Sequence, residues 1–172
     1  MKKSTVKSLL IDILIVVCVV FALTAVIKPT IVKGESMEDT LHDGNYLILN
    51  RMAYKMHSPE RGDIVVFPSE LDGGKLLIKR VIGVGGDIVE TDGLDTSVNG
   101  SKLDEPYIKS STAGDGLVET WTVPEGKVFV MGDNRDNSAD SRQVGVGFID
   151  EDDIIGKVAV RLYPFSEIGT VK

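Results

Sequence analysis

Apolar and polar positions alternate in two different ways along this chain. From Leu9 to Ile27 the sequence LLIDILIVVCVVFALTAVI is apolar all round, with Asp12 its single charge. As an α-helix this run would be about 28 Å long, close to the hydrocarbon thickness of a bilayer. Lys2, Lys3 and Lys7 precede it and Lys28-Pro29 closes it, which favours a cytoplasmic N-terminus, although Lys28 and Lys33 weaken the asymmetry. The expectation is a cytoplasmic segment 1–8, a single-pass anchor 9–27 and an extracytoplasmic body 28–172. A cleavable signal peptide, cut near Ala22-Leu23-Thr24, and a buried core helix are the competing readings. Cys18, in mid-span, reads as an inert apolar filler.

From Tyr46 onward the pattern changes to short apolar runs separated by turn residues. The runs are YLIL (46–49), DIVVF (63–67), LLIKRVI (76–82), DIVE (87–90), KVFVM (127–131) and KVAVRLY (157–163). Gly73-Gly74, Gly85-Gly86, Asn99-Gly100 and Pro124-Glu125-Gly126 lie between them. Runs of this length bounded by Gly, Asp and Pro predict a mainly β body, an antiparallel sheet or barrel-like domain, rather than alternating strand and helix. Val98-Asn99-Gly100-Ser101 predicts a type I′ hairpin. The 91–120 stretch, rich in Gly, Ser, Asp and Lys, is expected to be a surface hairpin or insertion.

Charge follows the same division. The chain has 172 residues and a net charge of −7, but its first 33 residues hold five Lys and one Asp, so the remainder carries the acidity. An acidic body repels phosphate backbones and argues against nucleic acid as a partner. One Cys excludes an intramolecular disulfide framework and a Cys-based zinc site, and two His leave little for a His-rich metal centre. No metal and no cofactor is expected.

Chemistry is then left to Ser or Thr with an unusual base, and three places offer it. Gly34-Glu35-Ser36 places a flexible residue two positions before a serine, so that hydroxyl and amide can face a substrate together; taken alone it is more often a turn. In LLIKRVI the strand period puts Leu77, Lys79 and Val81 on one face and Ile78, Arg80 and Ile82 on the other. A desolvated Lys can lose its proton and act as a base, whereas Arg cannot. From this stretch alone, the commoner outcome is that both charges sit at strand ends or snorkel. The third place, GDNRDNSADSR (132–142), is polar at nine of eleven positions and lacks the calcium-loop spacing. It suits a hydrogen-bonded network that fixes a loop around a site, or simply a solvated turn.

In order, the anchor, GESMEDTL (34–41), RGDIVVF (61–67), IKRVIGVGGD (78–87), VNG…EPY (98–107), GDNRDNSADSR (132–142) and IIGKVAVRLYPFSEIG (154–169) resemble the type I signal peptidases. These are membrane-anchored serine proteases with a Ser-Lys dyad that cut signal peptides from exported proteins, and the absence of a large insertion is similar to the small Gram-positive members. The resemblance implies Ser36 as nucleophile and Lys79 as general base, with Ser138 hydrogen-bonded to the lysine. It implies Asp140 and Arg142 as a structural ion pair and Asp133 in the same loop. The Ser36 N–H would serve the oxyanion, while Gly34 stands where some relatives supply a second hydroxyl donor. Met37 would line a shallow pocket for a small residue. Substrates would be secretory preproteins with small residues at −3 and −1, and the enzyme a monomer in the plasma membrane. Asp39 and Gly85 replace family prolines. Gly85 is expected to loosen its loop and Asp39 to face solvent, since a carboxylate aimed at Lys79 would keep it protonated.

Only nine steps separate Ile27 from Ser36, about 30 Å even when fully extended, so the serine is tethered near the membrane surface. Three other readings remain at this point: a catalytically silent anchored β domain that binds exported proteins, a self-cleaving Ser-Lys protease, and a Ser-His pair using His42. The self-cleaving repressors carry a DNA-binding domain where this chain has its apolar span.

Overall fold

The computed structural model describes residues 2–55, 57–69, 73–108 and 116–171. One helix, α1 (Lys2–Val26), leads directly into strand β1 (Ile27–Ile31). Every described side chain of α1 from Lys7 on is exposed, Phe21 and Leu14 by 76% and 61%, so α1 is not a core helix. Over Lys7–Val26 it is long and apolar enough to cross a bilayer. The helix stops one residue short of the apolar run, because Ile27 pairs with Asn50 as the first residue of β1. Pro29 lies inside that strand, which is permitted because β1 is a sheet edge and its missing N–H faces no partner. The Arg51 N–H also takes the Val26 carbonyl at 2.9 Å, which ties the helix end to the sheet.

The remaining strands are β2 (Tyr46–Asn50), β3 (Ile64–Ser69), β4 (Lys75–Val84), β5 (Ile88–Thr91), β6 (Thr96–Val98), β7 (Ser101–Lys102), β8 (Glu119–Thr122), β9 (Lys127–Met131), β10 (Ile149–Asp150), β11 (Gly156–Tyr163) and β12 (Gly169–Thr170). Pairing is antiparallel in both sheets: β1-β2-β11-β3-β4-β9-β10 with β12 on β11, and β7-β6-β5-β8. The body is therefore mainly β, as expected, in two antiparallel sheets. Residues 91–108 are drawn into the smaller sheet, where Thr91, Thr96 and Val98 are buried; 109–115 lie outside the described residues. Val98 pairs with Ser101, and Asn99 and Gly100 both have positive φ, as a type I′ turn requires.

The alternation of β3 builds the core on both faces. Ile64 and Val66 pack with Val32, Met37, Leu41, Leu47, Leu49 and Val158. Val65 and Phe67 pack with Val81, Val128, Val130 and Ile149 on the opposite face. A strand buried on both sides reads as an unbroken apolar run, which explains IVVF. β4 lies beside β3 in the same slab, and this determines the environment of its two charges.

Candidate active site

Lys79 and Arg80 sit at mid-strand in β4 and each is 2% exposed. Neither snorkels: Ile64 pairs with Arg80 and Val65 with Lys79, so both lie at the centre of the slab. Lys79 Nζ is 2.6 Å from Ser36 Oγ. Burial pushes the lysine down from 10.5 to about 8; the carboxylates of Asp140 and Asp133 oppose this and Arg142 adds to it. The difference corresponds to about 3 kcal/mol in favour of the neutral amine. Asp39 is half-buried rather than solvent-facing.

Ser36 lies in the loop between β1 and β2, where Gly34 turns the chain with φ +89°. The polar loop 132–142 grips this serine loop from outside. The Asn134 N–H donates to the Ser36 carbonyl at 3.1 Å, its side-chain amide donates to the Glu35 carbonyl at 3.1 Å, and Thr40 donates to Asp133 at 2.5 Å. The Ser36 N–H has no acceptor among the described residues, so it is available to a ligand oxygen.

Two buried ion pairs stand behind the serine and lysine. Asp140, fully buried, accepts from Arg142 Nε and Nη2 at 2.8 and 2.9 Å and from the Gly132 N–H at 3.0 Å. Asp133, equally buried, accepts Arg80 Nε and Nη2 at 2.8 and 2.6 Å. Each carboxylate near the lysine thus has its own guanidinium. Arg80, Asn134 and Thr40 were not identified from the sequence as site residues. Arg80 was weighed only as an alternative to Lys79, and in the structure it serves Asp133 from the other face of the strand.

Ser138 departs from expectation. Its hydroxyl is buried with no hydrogen-bond partner, so the bond to Lys79 is not made. Gly132 packs closely here: a Cβ built on it would stand 2.3 Å from Ser138 Oγ and 2.4 Å from the Ser36 carbonyl oxygen. Gly85 also serves close approach rather than flexibility, since a Cβ there would lie 3.0 Å from Glu125 Cα. Gly85→Ala is expected to destabilise the domain by about 1–3 kcal/mol in denaturant unfolding, and Gly85→Pro, although it restores the family residue, to do the same. A stabilised Gly85→Pro protein would show that this approach can relax.

The site opens into two adjoining depressions of about 670 and 500 Å³ that share Lys33, Gly34, Ser36 and Leu77. The larger is a groove with Thr30–Gly34 on one wall, Lys75–Ile78 on the other, and Met37 between them. His42 lies outside it, 3.6 Å from Glu38 and half exposed, and His57 lines a separate cleft with Arg61 and Tyr107. Among the described residues, no cluster of His, Cys, Asp or Glu is placed to hold a metal ion.

A hydroxyl against a desolvated amine can pass its proton to that amine once the amine is neutral. Such a pair, carried on antiparallel sheets, is an arrangement that a serine hydrolase can use. Comparison gives the family: the model of signal peptidase, peptidase S26, matches residues 3–163, and the chain belongs to this family, as a serine-type endopeptidase. It is 42% identical over 158 residues to signal peptidase IB of Staphylococcus aureus, covering 83% of this chain and 81% of that one. It is 36% identical to signal peptidase I U of Bacillus subtilis, over 99% and 95% of the two chains. A crystal structure of a signal peptidase I from Enterococcus faecalis superposes with a TM-score of 0.51 at 34% identity, over 59% of this chain and 97% of that one.

Proposed function

We propose that this protein removes signal peptides from secretory preproteins, with Ser36 as nucleophile and Lys79 as general base. The observation that carries the reading is the 2.6 Å approach of the Ser36 hydroxyl to a lysine 2% exposed and pushed down to about 8. Neutral Lys79 takes the Ser36 proton as the oxygen adds to the scissile carbonyl, and the Ser36 N–H meets the resulting oxyanion. The lysine then gives that proton to the leaving amine, which departs and leaves an acyl ester on Ser36. A water molecule, losing its proton to Lys79, hydrolyses the ester, and the proton returns to Ser36 Oγ. Asp140 with Arg142, and Asp133 with Arg80, hold the loop behind the lysine without leaving a bare carboxylate beside it. Ser138 would steady the amine only by leaving the unpartnered position its hydroxyl holds in this structure.

The groove favours an extended peptide. Among the described residues, β1 is an edge strand and β4 pairs with β3 alone until β9 joins at Arg80, so residues 75–79 present a second open edge across from the first. A substrate strand laid between them would add hydrogen bonds to both and place its carbonyl at Ser36. The floor at Met37 and Gly34 leaves room for small side chains, in keeping with small residues at −3 and −1. The lysine-rich start of the chain supports a cytoplasmic N-terminus with the β body outside the plasma membrane, and the protein is taken to act as a monomer.

The test is cleavage of such a preprotein by the full chain in detergent, with chelator present, as a function of pH. Below pH 8 the neutral fraction of Lys79 rises about tenfold per unit, reaching about a tenth at pH 7, so kcat/KM should climb and level off near pH 8. A profile flat from pH 6 to 9, or a requirement for added metal, would refute the mechanism.

A further inference from the structure

The EPY motif that follows the type I′ hairpin has no part in the proton transfers above, yet it lies against the site loop. Arg135, in the middle of that loop, is buried and spends its guanidinium in three directions. Nε donates to the Gly132 carbonyl at 3.1 Å, Nη1 donates to Thr96 Oγ1 and Glu105 Oε2, each at 2.9 Å, and Nη2 donates to Glu105 Oε1. Glu105 Oε1 also accepts the Tyr107 hydroxyl at 2.6 Å. The Tyr107 ring in turn covers Arg80, whose Cζ stands 3.8 Å from the ring centroid, and Arg80 holds Asp133. The contacts close a ring: Arg135, Glu105, Tyr107, Arg80, Asp133, and through Gly132 back to Arg135.

Gly132, a member of this ring, is also where the loop meets the serine loop most closely. Gly132 packs against both the Ser36 carbonyl and the Ser138 hydroxyl, its carbonyl is fixed by Arg135, and its N–H is fixed by Asp140. The Arg135 carbonyl is itself held by Arg142 at 2.9 Å. We propose that Glu105 and Tyr107, in the turn that follows β7 of the smaller sheet, are positioning residues for the Ser36–Lys79 pair, clamping the 132–142 loop from behind through Arg135 and Arg80. Neither touches the reacting atoms; they act by fixing the wall against which the hydroxyl and amine meet. The proposal rests on the Ser-Lys reading and extends it to a motif remote in sequence from both residues.

Lys79 is faced by Ser36 from the serine loop and by Asp133, Asp140 and Arg142 from the 132–142 loop, with Arg80 next to it on its own strand. Loosening the loop admits water to the amine and favours its charged form. The experiment compares Glu105→Gln and Tyr107→Phe with the unaltered full chain in detergent. Preprotein cleavage is measured from pH 6 to 10, the Lys79 amine is titrated by NMR in isotopically labelled protein without substrate, and thermal stability is measured in parallel. For Glu105→Gln the expected result is a fall in kcat of about tenfold at pH 7 with KM nearly unchanged, and an alkaline shift of both profiles by about one pH unit. Tyr107→Phe, which keeps the ring over Arg80, should lower kcat about threefold in the same direction. If Glu105→Gln fails to fold, Tyr107→Phe decides alone. Variants that lose thermal stability but keep the unaltered kcat and lysine titration would overturn the proposal and leave a brace with no bearing on the dyad. Should the unaltered chain fail to cleave while the lysine titration still moves in the variants, the clamp stands and the assigned reaction falls.

Discussion

Replacing Lys79 with Met is expected to abolish preprotein cleavage, by about 10⁴-fold or more, and at the same time to make the folded protein more stable. Both effects come from the same burial. At neutral pH the lysine is mostly charged in a site that disfavours its charge, since its folded value of about 8 lies below its ordinary 10.5. The folded state therefore carries a penalty of about 3 kcal/mol at any pH below 8. Between about pH 8 and 10.5 the folded amine is neutral while the unfolded one still holds its proton, so stability rises with pH and the penalty fades. Methionine has nearly the same length and no charge; it should remove the penalty, raise the melting temperature at pH 7 and abolish the rise of stability above pH 8. Ser36→Ala should match the loss of activity without the stabilisation, whereas His42→Ala and His57→Ala should leave cleavage intact. Calorimetry at pH 7 and 10, with a cleavage assay on the same samples, checks all four. A Lys79→Met protein that still cleaves would end the general-base assignment, and one that is less stable would show that the amine is not penalised by its surroundings.

The second large effect is expected at a residue with no side chain. Gly132→Ala inserts a methyl group where the Ser138 hydroxyl would be 2.3 Å away and the Ser36 carbonyl oxygen 2.4 Å away. One neighbour is a side chain that can rotate; the other is the backbone of the nucleophile itself, so the serine loop must move. Displacement on the order of 1 Å at a reacting group costs about 10²-fold in rate, and Gly132→Ala should lose at least that in kcat. Because the strain falls on a loop rather than a core strand, unfolding should show a loss of about 1–3 kcal/mol and no change of fold. Adding Ser138→Gly removes one of the two close contacts and should not restore the rate. Recovery in the double variant would show that only the serine behind the site, and not the nucleophile, had been displaced.

The elements legible in the sequence are those whose own residues carry the signal. The runs at 46–49, 63–67, 76–82, 87–90, 127–131 and 157–163 each give a strand, Asp63 and Asp87 just preceding theirs, because short β-branched apolar runs bounded by turn formers have few other outcomes. β1 was hidden because it continues the apolar run of α1 and contains a proline that reads as a stop. β7, β10 and β12 have two residues each, too few for any period, and exist only because longer strands give them an edge. At the site, Ser36 and Lys79 are 43 residues apart and nothing local joins them. Their pairing came from the resemblance, and the burial of Lys79 came from the slab around β4. The clamp from Glu105 to Arg135 spans 30 positions, and neither residue announces the other. Ser138 shows the opposite limit, where the resemblance implied a role but the hydroxyl is buried without a partner.

The join between α1 and β1 makes the protein a gauge as well as a blade. Since the helix passes into a sheet strand with no spacer and its last carbonyl is held by Arg51, Ser36 stands at a set offset from the helix end, at most about 35 Å along the chain. With α1 in the bilayer and Ser36 as the proposed nucleophile, a substrate whose own apolar segment shares that bilayer would present to the serine only the bond at the matching height. The spacing between hydrophobic stretch and cut would then be chosen by the length of the enzyme's own stem, and lengthening that stem by a few residues should move the cut rather than merely slow it.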